Sequence, residues 1–106
     1  MRIFTCKQCS RIHVEVGNVL MHFSSPEKLK IYSDYLESID VAYYAAINKK
    51  KGLERVIILP VVDMCVHLTF TVQEFEMLKE IIRDYLTNKT KGMFIRCKEL
   101  QPVNLN

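Results

Sequence analysis

The residues of this chain able to do chemistry beyond packing are its four cysteines and three histidines. Cys6-Lys7-Gln8-Cys9 is a CxxC pair, a spacing that lets two thiolates grip one tetrahedral ion, as in half of a zinc ribbon. The sequence holds no second CxxC, so a closed site must draw its other ligands from Cys97, Cys65, His13 or His22. The same pair can instead cycle as a disulfide. Thioredoxin-type motifs sit between a strand and a helix, whose N-terminus stabilises the first thiolate. Here the motif precedes alternating apolar residues, which removes that helix. Arg2, Lys7 and Arg11 surround the pair, and Arg96 and Lys98 flank Cys97. Their positive charge favours thiolates for metal binding and redox use equally. Zinc at Cys6 and Cys9 is the favoured reading, with thiol redox chemistry as the alternative.

The histidines are placed by a hairpin. Ile12, Val14 and Val16 alternate, Gly17-Asn18 follows, and then Val19, Met21 and Phe23 alternate. Gly at the first central position of a two-residue loop suits a type II′ turn. That loop sets Val16 opposite Val19, Val14 opposite Met21 and Ile12 opposite Phe23, an apolar inner face. His13 then faces His22 on the other side of the sheet, as outward and solvated side chains. Directly opposed Cβ atoms lie ~4.5–5.5 Å apart, close enough for two imidazoles to share a metal ion, although stacking or hydrogen bonding is the commoner fate.

A second hairpin is expected from Arg55 to Val62 and Cys65 to Phe70, with Val66, Leu68 and Phe70 pointing inward. Val56, Ile58, Pro60 and Val62 then share the outer face with Cys65 and His67. That much apolar surface needs a cover, either the Tyr43–Ile47 segment or a second copy of the chain. A homodimer through Val56, Ile58, Pro60 and Val62 is the oligomeric expectation.

Each hairpin leads into a helix. Phe23-Ser24-Ser25-Pro26-Glu27 and Phe70-Thr71-Val72-Gln73-Glu74 share a pattern, a hydroxyl residue with Glu three positions later, which reads as a capping box. Leu29, Tyr32, Leu36 and Ile39 form the stripe of the first helix. Phe75, Leu78, Ile82 and Tyr85 form that of the second, with Asn88 as a left-handed stop. The pattern predicts one α+β domain over residues 1–106, built as a ββα unit repeated over 11–40 and 55–88. A last strand over 93–98 completes a mostly antiparallel sheet of about five strands, with both helices on one face. Residues 41–52 fall outside the repeat. Tyr43, Tyr44 and Ile47 extend the first helix or form a short one, and Lys49-Lys50-Lys51-Gly52 reads as an exposed loop.

Composition bounds the function classes. With 106 residues, half of them apolar, the chain suits a single core. Three Gly, three Pro and four Cys do not fit a collagenous, low-complexity or disulfide-scaffold chain. The longest apolar run, Val56 to Val62, is too short to span a bilayer, and no signal peptide is visible, so the expected compartment is the cytoplasm. The net charge of +3 concentrates at the ends: residues 1–30 carry five basic and two acidic residues, and residues 89–106 carry four and one. With Phe4 and Phe94 nearby, those ends form a weak nucleic-acid footprint, a second alternative. No Gly-rich phosphate loop, GxSxG or HExxH appears, which leans away from an enzyme.

The string from Phe4 to Val19, with CxxC, then Ile12-His13, then Gly17-Asn18, resembles the opening of a family of small uncharacterised bacterial proteins. The resemblance is firm over residues 4–36. It implies a bacterial, cytoplasmic protein and brings no activity or catalytic residue. The combined expectation is a non-enzymatic interaction module with a structural zinc site.

Overall fold

The computed structural model describes residues 1–6, 11–61, 65–87 and 94–95. In chain order the elements are β1 (Arg2–Cys6), β2 (Ile12–Val16), β3 (Val19–Phe23), α1 (Pro26–Glu37), α2 (Val41–Lys50), β4 (Ile57–Pro60), β5 (His67–Phe70), α3 (Val72–Leu86) and β6 (Phe94–Ile95). The class is α+β, but the strands form two sheets instead of one sheet of five. One has the order β3-β2-β1-β6, antiparallel except for the short parallel β1–β6 pair; the other is the antiparallel β4-β5 ladder. The reason lies in β1, which the hydrophobic pattern left unassigned. It takes the free edge of β2, with Phe4 opposite His13 and Thr5 opposite Ile12. The edge of β4 is meanwhile poor in partners: the Asn48 side-chain amide donates to the Val56 carbonyl at 2.6 Å, and Pro60 has no N–H. The order strand, strand, helix does recur, at β2-β3-α1 and at β4-β5-α3, with α2 between them.

The first hairpin has the expected register. Gly17 turns the chain at φ 57, a left-handed value that an L side chain adopts only under strain. Val16 pairs with Val19, Val14 with Met21, His13 with His22 and Ile12 with Phe23. In the second hairpin Ile57 pairs with Phe70 and Leu59 with Leu68, and the turn at 62–64 lies outside the described residues.

The two helix starts differ more than their matching strings suggest. Thr71 and Glu74 do form a capping box: the Thr71 hydroxyl accepts from the Glu74 N–H at 3.1 Å, and the Glu74 carboxylate accepts from the Thr71 N–H at 2.8 Å. At α1 the cap is Ser25, not Ser24, and it accepts from the Lys28 N–H at 3.2 Å. Pro26 forces this choice. Its ring suits the first helical position, and it pushes the preceding residue into the extended region, where Ser25 lies at φ −157 and ψ 159. Glu27 therefore falls one position short of the box. The lysine run is also reassigned, because Lys49 and Lys50 are the last turn of α2, where positive charge suits the helix dipole. Asn88 lies outside the described residues; α3 is closed at Thr87.

One core joins both sheets. Ile3, Ile12, Val14 and Val16 from the larger sheet meet Ile57, Leu59 and Phe70 from the smaller one. Leu29 and Leu36 of α1, and Phe75, Leu78, Ile82 and Tyr85 of α3, fill the space between. The Tyr85 hydroxyl and Thr5 Oγ1 share a hydrogen bond of 2.6 Å, tying α3 to β1. No described helix is long and apolar enough to cross a membrane.

Candidate functional site

The registers of β1, β2 and β3 align Phe4, His13 and His22 in a row across the sheet face turned away from the main core. Phe4 stacks on His13, with ring centroids 5.1 Å apart and planes 26° apart. His13 and His22 meet edge to face at 4.6 Å, and their Nδ1 atoms are 2.6 Å apart, a direct hydrogen bond. Arg2 lies over the far side of the row, its guanidinium 5.1 Å from the Phe4 ring centroid and its Nε 3.0 Å from Glu15.

The face is not solvated as the alternation suggested. Phe4 is 2% exposed and His13 is 3% exposed, whereas His22 remains open to water. Phe4 also stands outside the main core cluster, so this face carries a small buried cluster of its own. Burial holds the His13 imidazole below its ordinary pKa, helped by the positive charge of His22 and Arg11. His13 is therefore a neutral ring at pH 7 with one nitrogen bonded to His22. Its Nε2 is buried and has no hydrogen-bond partner. A neutral imidazole nitrogen shut off from water and left unbonded is a rare arrangement, and a group of that kind calls for a ligand or an ordered water.

Geometry limits how the pair could meet a metal. Two nitrogens ~2.0–2.1 Å from one tetrahedral ion are about 3.3 Å from each other. The facing Nδ1 atoms at 2.6 Å are closer than that. They bond to each other and do not flank an ion together.

Cys6 is the last residue of β1, and its backbone pairs with Ile95 of β6. Cys9 and Cys97 lie outside the described residues. Cys65 is an exposed free thiol and His67 is exposed on β5, in the other sheet. Among the described residues no three His, Cys, Asp or Glu side chains are grouped to hold a metal ion.

The outer face of β4 is the second feature. Val56 is not part of it: it is buried in the main core, because it precedes the strand and turns under α2 where Asn48 holds its carbonyl. Val62 lies outside the described residues. Ile58, 38% exposed, and Pro60 do face outward, beside a groove of 440 Å³ that they line with Tyr35, Tyr43 and Tyr44. α2 lies against β4 without closing it over, for Tyr43 is 56% exposed and Tyr44 is 48% exposed.

A family profile matches residues 2–106, nearly the whole chain, and its description is a family of unknown function (DUF6686). The chain belongs to that family. No curated protein and no solved structure matches it. In this DUF6686 chain the nucleic-acid footprint read from the sequence loses part of its footing. Phe4 is buried and unavailable to stack on a base, and Arg2 is already paired with Glu15. Phe4 is also the residue sequence reasoning missed at the histidine pair. The alternation of Ile3 and Thr5 against Phe4 was the signal, a period of two too short to stand out.

Proposed function

We propose that this protein is a non-enzymatic interaction module that pairs with a second copy of itself through the outer face of β4. The observation that carries the reading is the exposed aromatic and apolar surface of Tyr35, Tyr43, Tyr44, Ile58 and Pro60 around one groove. A two-fold interface must be complementary to itself, and this patch holds both a groove and projecting rings that could fill it. Tyrosine is also the residue type that best serves such contacts, with a large apolar body and a polar tip. The two-stranded β4-β5 ladder, marginal as an isolated unit, would gain a neighbour. Sedimentation at high micromolar concentration is expected to show a dimer, and Tyr44→Glu to shift it to monomer. A monomer from the unmutated chain overturns this reading.

The module carries, on the same proposal, a structural zinc ion on Cys6 and Cys9, with Cys97, His13 and His22 as the pool for its remaining ligands. The CxxC spacing supports it, as does the unbonded nitrogen of His13 on the strand next to β1. Protein purified without an affinity tag is expected to hold close to one equivalent of zinc, lost in Cys6→Ser. Less than about a tenth of an equivalent in the unmutated protein removes the metal. A reversible Cys6–Cys9 disulfide found by thiol trapping would put redox chemistry in its place.

A further inference from the structure

Sequence alone leaves His13 and His22 as equal candidates for the zinc. The two are not equivalent in the fold. His13 sits on the central strand β2, shut from water, while His22 sits on the edge strand β3 and is exposed. They share one hydrogen bond through Nδ1, so one nitrogen donates and the other accepts. If His13 donates, its Nε2 carries a bare lone pair inside the protein, and His22 turns its own Nε2–H to solvent. That tautomer leaves the hydrogen at the exposed end of the pair, where water accepts it. The reverse tautomer would bury an N–H donor at His13 Nε2 with nothing to receive it.

We infer that His13, through Nε2, is the imidazole ligand of the ion gripped by the Cys6–Cys9 pair, and that His22 is its positioning residue and not a ligand. The inference rests on the zinc reading above and deepens it. Metal-bound histidines almost always donate their second ring N–H to a neighbouring acceptor, which fixes the tautomer and the ring angle. The His22 Nδ1 at 2.6 Å supplies that acceptor. Phe4 holds the opposite face of the His13 ring by stacking at 5.1 Å, so the ring is oriented on two sides before any ion arrives. Position agrees as well. Phe4 is the cross-strand partner of His13, and β1 continues from it for two residues to the first cysteine of the motif. Positions 6 and 13 are thus diagonal neighbours across one strand pair, a spacing of about 7–8 Å.

The test uses the full chain, stripped of metal and titrated with zinc or cobalt(II). His13→Gln is expected to weaken binding by more than about a hundredfold and to change the cobalt ligand-field spectrum. His22→Gln is expected to keep one ion per chain and the parent spectrum, with affinity lower by about 10–100-fold, the usual cost of an outer partner. Because His13→Gln removes a buried side chain and could unfold the strand, the unmutated protein is followed as well. In its histidine ring ¹H–¹⁵N correlations, the Nε2 signal of His13 should shift on adding zinc while its Nδ1 stays protonated. Unchanged affinity and spectrum in His13→Gln, with the metal lost only in Cys6→Ser, overturn the assignment and leave the cysteine site standing. A metal lost in His22→Gln and kept in His13→Gln reverses the two roles and overturns it too. No binding by the unmutated chain removes this inference and the zinc reading together.

Discussion

Phe75→Ala is expected to lower the free energy of unfolding by about 3–5 kcal/mol, the usual range for removing a buried aromatic ring from a core. Phe75 is fully buried and belongs to the cluster that joins the two sheets through α3. It has a second, local role. With Thr71 as the cap, Phe70 is the residue before the cap and Phe75 the fourth residue of the helix. Their rings lie 6.2 Å apart, which makes them a hydrophobic staple fixing the angle at which β5 enters α3. Truncating Phe75 opens a cavity and loosens that entry together. A domain of this size has about 5–15 kcal/mol of stability in total, so the variant should be marginal. Denaturant unfolding followed by circular dichroism measures the change. A loss below about 1 kcal/mol would mean that the site collapses onto the gap and that the staple contributes nothing.

The same staple shows what was legible in the sequence. At α3 every local signal agreed: the Thr71 box, the apolar spacing from Phe75 to Tyr85, and the alternation before it. The helix formed where those signals put it. The Gly17-Asn18 loop was equally decisive, because a two-residue turn leaves no freedom in register and so fixed His13 opposite His22. At α1 the signals conflicted. A hydroxyl residue three positions before Glu27 pointed to Ser24, while the backbone constraint of Pro26 required Ser25, and the steric constraint won. β1 and the division into two sheets were not legible, for a different reason. Strand pairing depends on which edges remain free, and the periodicity of one segment carries no information about the edges of another. The burial of His13 followed from that omission. Alternation placed it correctly on the second face, but only β1 brings Phe4 against it.

Phe4 accordingly provides the other large effect. Phe4→Ala is expected to destabilise the protein by about 3–5 kcal/mol, a core-like cost from a residue outside the main core. It should also change how stability depends on pH. In the parent protein burial lowers the pKa of His13 from its model value of 6.5, so the unfolded chain binds a proton that the folded chain resists. The contribution of His13 to stability is therefore fully present above pH 6.5 and is lost as pH falls below it, until the folded ring also protonates. The charge then created would face His22 and Arg11, the two groups that already oppose it. Removing Phe4 lets water reach the ring, which takes away the largest cause of the shift. In metal-free protein, Phe4→Ala should be less stable at every pH and should lose less further stability than the parent between pH 6.5 and the lowered pKa. Denaturant unfolding across that range, with His13 titration followed by NMR, separates the two effects. A variant with parent-like acid sensitivity would show that His22 and Arg11, and not burial beneath Phe4, keep the imidazole neutral.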